Sequence, residues 1–144
     1  MSKFQKMCGT IRRTLKNKTQ RSTQLKFYTS LAVPILTYGS ENWSINRATK
    51  KKIETSEMKF LRSVAGLTLL DHQRNEHIRQ QLNIFNLTEI IQRQKHNWFQ
   101  HIRRMNDDRL PKVILNYEPR GHRNVGRPRT RWLDDINFED GTGQ

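Results

Sequence analysis

The sequence predicts an all-α fold, a small bundle of helices followed by a basic, mostly extended C-terminal arm. Three observations lead to this prediction. Apolar residues recur at three- and four-residue steps along most of the chain, which is the period of helices that pack on one face. Runs with the alternating pattern of strands are nearly absent. Near the C-terminus, glycine, proline and arginine replace the periodic pattern, as is typical of extended segments.

The most apolar stretch, Leu25–Tyr38, is expected to form the central helix of the bundle. Lys26 is its only charged residue, and apolar side chains occupy most of its sides. A helix with this pattern is normally buried. Pro34 is expected to kink the helix, because proline lacks an N–H and crowds the preceding turn, and Gly39 is expected to end it.

Amphipathic helices are predicted on both sides of this stretch. An N-terminal helix from about Phe4 to Leu15 has a basic outer face, and Trp43 in the following connector is expected to pack against the core. Further helices are predicted at about 46–65, 75–82, 88–105 and 110–116, and Trp98 is expected on the inward face of the third of these. The predicted domains are a helical domain, 1–116, and an arm, 117–144, with a short apolar docking segment around Trp132.

Charge is the strongest global signal in the sequence. The 144 residues carry a formal net charge of +14. Such an excess of Lys and Arg repels itself unless a polyanion neutralises it, and counterion release makes RNA or DNA the expected partner. An anionic membrane surface is the weaker alternative and is not the expected partner, and no apolar run is long enough to span a bilayer. No signal peptide is recognisable and Cys8 is the only cysteine, so we expect an intracellular protein.

Candidate phosphate-binding residues lie on the outer faces of the helices and along the arm. For any single helix residue, a solvated surface charge is an equally good interpretation. The arm is the sharper case, because five arginines without a carboxylate between 120 and 131 are hard to explain by solubility alone. The predicted nucleic-acid-binding residues are Arg12, Arg13, Lys16, Lys50, Lys51, Arg93, Arg103, Arg104, Arg120, Arg123, Arg127, Arg129 and Arg131.

Catalytic and metal-binding residues are not predicted. The pairs Asp107–Asp108 and Asp134–Asp135 lack the apolar strand context of a two-metal catalytic site. We expect turn and helix-end roles for the first pair and pairing with Arg129 or Arg131 for the second. The histidines have no neighbouring cysteine pair, so no zinc site is predicted.

Five blocks of the sequence resemble motifs of LINE-type (non-LTR) retrotransposon reverse transcriptases. The blocks are 34–43 (P-x-L-x-Y-G-x-E-x-W), 57–66 (E-x-x-x-L-R-x-x-x-G), 74–78 (R-N-E-x-I), 98–111 (W-x-G-H-x-x-R-M-x-D-x-R-x-P) and 126–132 (G-R-P-x-x-R-W). Each block is short, but the shared order and spacing cover nearly the whole chain. One position departs from the pattern, since Gln100 stands where the family usually has Gly.

The resemblance implies a C-terminal thumb and post-polymerase region of a reverse transcriptase. In that family the carboxylates that bind Mg²⁺ lie on an upstream palm hairpin, so the implied role is noncatalytic, needs no cofactor of its own and holds template and primer through phosphates. The implied partners are RNA or DNA and upstream reverse transcriptase domains, and the implied location is the nucleus. Structural roles are implied for Tyr38, Gly39, Trp43, Trp98, His101 and Trp132.

Two alternatives stay open at this point. The segment Gly126–Pro128 resembles the core of an AT-hook, in which an extended Arg-Pro segment enters a narrow minor groove. A free-standing DNA-binding module would then be the function. The other alternative is a degenerate open reading frame whose product has no independent role.

Overall fold

The computed structural model describes residues 2–118, 121, 125, 126 and 131–136, and these form helices and turns without any strand. The predicted all-α bundle is confirmed. The α-helices are α1 (Ser2–Leu15), α2 (Arg21–Phe27), α3 (Val33–Thr37), α4 (Arg47–Ala65), α5 (Asn75–Leu82), α6 (Leu87–Arg103) and α7 (Leu110–Leu115). A π-helical turn, Tyr28–Ala32, joins α2 to α3, and short 3₁₀ turns lie at Ser40–Asn42 and Leu133–Asp135.

Helix α4 is the element around which the others pack. It contacts α1, α2, α5 and α6. Its buried apolar residues, among them Ile53, Phe60, Leu61 and Val64, extend along most of its length. The prediction that Leu25–Tyr38 is the central helix is therefore wrong, because the longest continuous buried face belongs to α4.

The apolar stretch is buried on one side only, which corrects the expectation of burial all round. Tyr28, Ala32 and Leu36 face the core and are almost fully inaccessible. The exposed members are Phe27, Leu31, Ile35 and Tyr38, with 40%, 42%, 39% and 88% of their surface accessible. The reason is that the neighbouring helices α1, α4 and α6 cover a single face of this run.

Pro34 is accommodated inside a continuous helical run by the π-helical turn that precedes it. The backbone N–H of Val33 donates to the carbonyl of Tyr28, a five-residue step that widens the helix. Since proline has no N–H and crowds the carbonyl four residues earlier, the wider turn lets the chain stay helical up to Thr37. Gly39 then adopts a left-handed φ of 69° and ends the run, as predicted.

Helix α6 buries most of the predicted face, including Leu87, Ile91 and Ile102, but not Trp98. The residues on its inward face are Leu87, Ile91, Lys95, Phe99 and Ile102. Phe99 takes the position expected for Trp98, which is only half buried. The steps of four residues from 87 to 99 define this stripe, and they place a lysine in the middle of it.

Candidate nucleic-acid interface

A groove between α1 and α4 is lined by one basic residue from each of the two helices. It is lined by Gln5, Cys8, Gly9, Arg12, Thr55, Ser56, Lys59 and Phe60 and has a volume of about 380 Å³. No carboxylate belongs to this lining among the described residues. We call it the α1–α4 groove.

The sequence builds this groove by pairing two amphipathic helices. Phe4, Cys8 and Ile11 of α1 face inward, so that Arg12 lies at the edge of the buried face. Gly9 leaves the groove open, since a Cβ there would meet nothing within 4 Å. Across the groove, the amide of Gln5 donates to the hydroxyl of Ser56 at 2.9 Å and joins the two helices.

The predicted residues on α1 are placed together. Arg12, Arg13 and Lys16 are all exposed on this helix. None of them forms an ion pair with a carboxylate in the part of the chain that the structure describes. Lys59, which the sequence-based prediction left out, faces Arg12 across the groove lining. The signal that could have found it is its position three residues after Ser56 on the same face of α4.

Lys50 and Lys51, at the start of α4, have different environments. Lys51 is exposed. The ammonium of Lys50 instead contacts the carboxylate of Asp135 at 2.7 Å, and its side chain is 39% accessible. Lys50 is thus engaged within the protein, whereas Lys51 is available to solvent.

Among the predicted residues of α6, Arg93 lies far along the helix from Arg103 and Arg104. Arg93 is over the ring of Phe85, and Arg103 is over the ring of Phe99, each with 5.9 Å from guanidinium carbon to ring centre. Ten residues of helix separate the two arginines by about 15 Å. Arg104 is exposed at the C-terminal end of α6. Arg93 is therefore separate from Arg103 and Arg104, and the three cations do not form one cluster.

The segment 131–136 is bound to the bundle through polar contacts of two residues, Trp132 and Asp135. The indole N–H of Trp132 donates to the carbonyl of Glu41 at 2.6 Å. Asp135 is buried, and its carboxylate pairs with Lys95 and accepts the backbone N–H of Ile45 at 3.1 Å. Burial alone would raise the pKa of Asp135, but the hydrogen bonds from Lys50, Lys95 and Ile45 outweigh it and hold the pKa below its ordinary value.

The roles expected for the two aspartate pairs are partly corrected. Asp135 pairs with Lys95 and Lys50 and not with Arg131, while Arg129 lies outside the described residues. Asp134 accepts a hydrogen bond from the backbone N–H of Arg131 at 2.9 Å. In the first pair, Asp107 forms an ion pair with Lys112 at 2.7 Å, next to the start of α7. Asp107 and Asp134 thus make local contacts, and Asp135 anchors the segment 131–136 to the bundle.

The aromatic motif residues are placed as follows. Trp43 is partly buried and packs against the core, as predicted. His101 is exposed, with its ring 5.4 Å from that of Trp98, so it has no buried hydrogen-bonding role. Tyr38 is exposed as well. Its neighbour Gly39 has a clear structural effect, because it ends the helical run.

Gln100 lies on the outer side of α6. It is half buried, and its amide is 3.4 Å from the ring of His96. The glycine that the family has at this position is therefore not needed for close backbone packing here.

Four predicted residues of the arm, Arg120, Arg123, Arg127 and Arg129, lie outside the described residues, as does Pro128 of the AT-hook-like core. Arg131 is described and exposed.

A second buried ion pair, which the sequence did not reveal, ties α4 to α5 and α6. The guanidinium of Arg79 donates to one carboxylate oxygen of Glu57 at 2.7 and 3.2 Å, and the other oxygen accepts the backbone N–H of Leu87 at 3.3 Å. Glu57 is fully buried and Arg79 is 6% accessible. Burial raises the pKa of Glu57, and Arg79 opposes that rise.

Side chains for metal or covalent chemistry are not assembled in the described part of the chain. No group of three or more His, Cys, Asp or Glu there could hold a metal ion. Cys8 is buried, and burial raises the pKa of its thiol to about 12. Within the same residues, no helix combines the length and the apolar character needed to cross a lipid bilayer.

Comparison with known proteins gives one informative similarity. The chain is 25% identical over 126 residues to an uncharacterised transposon-derived protein of Caenorhabditis elegans. The match covers 84% of this chain and 45% of that protein, so the chain spans less than half of its relative's length. No family model matches the chain, and no solved structure matches it. The chain is thus similar to a protein of transposon origin.

Proposed function

We propose that this chain is a noncatalytic, nucleic-acid-binding segment of a retrotransposon reverse transcriptase, which holds template and primer through phosphate contacts. The similarity to a transposon-derived protein supports the transposon origin. The ordered motif blocks at 34–43, 57–66 and 98–111 support the reverse transcriptase assignment. In this proposal the Mg²⁺-binding carboxylates belong to a palm domain of a longer protein that acts in the nucleus.

The observation that carries the binding proposal is the α1–α4 groove. Arg12 and Lys59 line it from opposite helices, and the described lining contains no carboxylate. The groove therefore offers positive charge without a competing intramolecular partner. Arginine and lysine in such a setting release condensed counterions when they neutralise phosphates.

Polar groups in the groove complement these charges. Gln5, Thr55 and Ser56 provide amide and hydroxyl groups beside the cations. Such groups bind phosphate and sugar oxygens and set the position of a duplex without reading its sequence. Binding that tolerates any sequence is what a polymerase needs along its template.

The docked C-terminal segment supports this function by positioning charge. Arg131 directly precedes Trp132, which is bound to Glu41. Asp135, in the same segment, is bound to Lys95. The C-terminal flank of the arginine-rich sequence is thereby held against the bundle. A cation fixed in place loses less conformational entropy on binding than one on a free chain.

Binding of an RNA–DNA hybrid to groove variants tests the proposal. Arg12→Gln and Lys59→Gln each remove one positive charge from the groove. Lys26→Gln is the matched control, because Lys26 is exposed on α2 and does not line the groove. Fluorescence anisotropy at several salt concentrations gives the slope of log affinity against log salt.

Each groove variant is expected to lower the magnitude of this slope by about 0.9, the value for one phosphate contact, while the control leaves it unchanged. Equal small losses for all three variants would mean that only net charge matters. The α1–α4 groove would then not be the binding surface.

A further inference from the structure

A second, larger groove lies between the end of α6, helix α7 and the docked segment. Its volume is about 610 Å³, which is within the range of small-ligand pockets. Three aromatic residues, Trp98, Tyr117 and Trp132, line it together with aliphatic side chains of α7. We call it the aromatic groove. It shares no lining residue with the α1–α4 groove.

Two of the three aromatic rings are held by contacts with residues outside the groove lining. Trp132 donates to the Glu41 carbonyl at 2.6 Å, and its ring lies 6.3 Å from that of Phe99. Trp98 is half buried beside His101. Tyr117 follows α7 and is 67% accessible. The rings of Trp132 and Trp98 are therefore held by neighbouring residues, while the ring of Tyr117 is accessible to solvent.

The charge of the groove favours an anionic ligand. Arg131 is the charged residue of the described lining, and no carboxylate is among the lining residues. The carboxylate of Asp134 contacts the backbone N–H of Arg131. The guanidinium forms no ion pair with any carboxylate of the described chain. Arg127 and Arg129 lie four and two residues before Arg131 in the sequence.

We propose that the aromatic groove binds an unpaired base of a single-stranded nucleic acid. The base stacks on Trp98 and Tyr117, and its phosphate contacts Arg131. This inference rests on the proposed function and adds to it a site for single-stranded template. Flat aromatic faces accept any base, and a neighbouring cation binds the backbone, which is the combination that proteins use to bind single strands without sequence preference. An aliphatic peptide is a poorer ligand for this groove than a nucleic acid, because it would leave the charge of Arg131 without an anionic partner.

Two oligonucleotides of equal charge separate stacking from phosphate attraction. One is an oligothymidine of about 12 nucleotides, and the other is an abasic strand of the same length. Trp98→Ala and Tyr117→Ala remove stacking surfaces, and Trp98→Phe and Tyr117→Phe retain an aromatic ring. Tyr38→Ala is the control, because Tyr38 is 88% accessible and lies outside the groove lining.

We expect each alanine variant to bind oligothymidine about tenfold more weakly, since loss of one stacked base lowers affinity by about 5- to 150-fold. The phenylalanine variants should recover most of the affinity, and affinity for the abasic strand should not change in any variant. Circular dichroism melting verifies that Tyr117→Ala remains folded.

Three results would overturn the inference. Equal affinity of the wild type for both strands would show that bases do not contribute, while the phosphate-binding function would stand. A concentration-dependent dimer that Tyr117→Ala abolishes would show that a second copy fills the groove. Absence of binding to every oligonucleotide would instead reject the proposed function itself, and the base site with it.

Discussion

Lys95 and Asp135 are forty residues apart in the sequence, and they form an ion pair inside the protein. Their side chains are 0% and 3% accessible. Lys50 contacts the same carboxylate at 2.7 Å. A C-terminal segment is thereby fixed to α4 and α6 through one aspartate. Removal of this carboxylate leaves a buried ammonium without its partner, which is costly unless the segment opens and admits water.

Asp135→Asn is expected to undock the segment 131–136 while the helices remain folded. The backbone N–H of Ile45, which donates to Asp135, reports this directly. Hydrogen bonds to charged groups contribute about 1.5–3 kcal/mol, so exchange of the Ile45 amide should accelerate about 10- to 100-fold. Asp134→Asn is the matched control, since Asp134 is exposed. Unchanged Ile45 exchange in Asp135→Asn would contradict the anchoring role.

Docking should also depend on pH, with a sign fixed by the lowered pKa of Asp135. A lowered pKa means that the undocked state binds the proton more tightly, so docking becomes more stable as pH rises. The stabilisation is complete above about 3.9, the pKa of a free aspartate, and is lost as pH falls below that value through the lowered pKa. Tryptophan fluorescence measures this, because a pH-dependent difference between wild type and Asp135→Asn reports the environment of Trp132 in the docked segment. Identical profiles for the two proteins would rule out the prediction.

Arg79→Met is expected to destabilise the whole bundle. It leaves the fully buried Glu57 without its cation, and loss of one partner of a buried pair costs about 3–5 kcal/mol. Urea unfolding followed by circular dichroism gives the free energy. The double variant Glu57→Leu with Arg79→Met should recover most of the loss, because no unpaired buried charge remains at this site.

The exposed Arg74 provides the control for this prediction. Arg74→Met should change the free energy of unfolding by less than about 0.5 kcal/mol, as is usual for surface positions. A loss of similar size in Arg74→Met and Arg79→Met would show that the pairing with Glu57 is not the cause.

Tyr28→Phe is expected to be neutral or to stabilise the protein by about 1 kcal/mol. Tyr28 is fully buried and stacked on Phe60, with ring centres 4.8 Å apart. Its hydroxyl has no hydrogen-bond partner within the described residues. A buried polar group without a partner is destabilising, and phenylalanine retains the ring. A loss of more than about 1 kcal/mol in urea unfolding would indicate that the hydroxyl contributes an interaction.

Local features of the fold were predictable from the sequence. The predicted bounds of α5, 75–82, coincide with the observed ones. Gly66 and Asn83 end their helices with φ of 76° and 52°, as their tolerance of left-handed backbone predicts. Helix ends depend on a few neighbouring residues, so the sequence contains the necessary information.

Long-range pairing was not predictable in the same way. Lys95 between Ile91 and Phe99, and Glu57 between Ile53 and Leu61, are charged residues on apolar faces, which signals burial. Their partners, Asp135 and Arg79, are set by the packing of distant helices. For the candidate interface, helical spacing predicted that Arg12 and Lys51 are exposed. It could not predict that Lys50 contacts Asp135 or that Lys59 faces Arg12.

The most direct test of the central claim is the affinity of the intact chain for an RNA–DNA hybrid as a function of salt. If basic side chains bind phosphates, log affinity should fall linearly with log salt, and about six contacts correspond to a loss of about 10³-fold between about 50 and 200 mM. A flat response over this range, or no binding at the lowest salt concentration, would contradict the account.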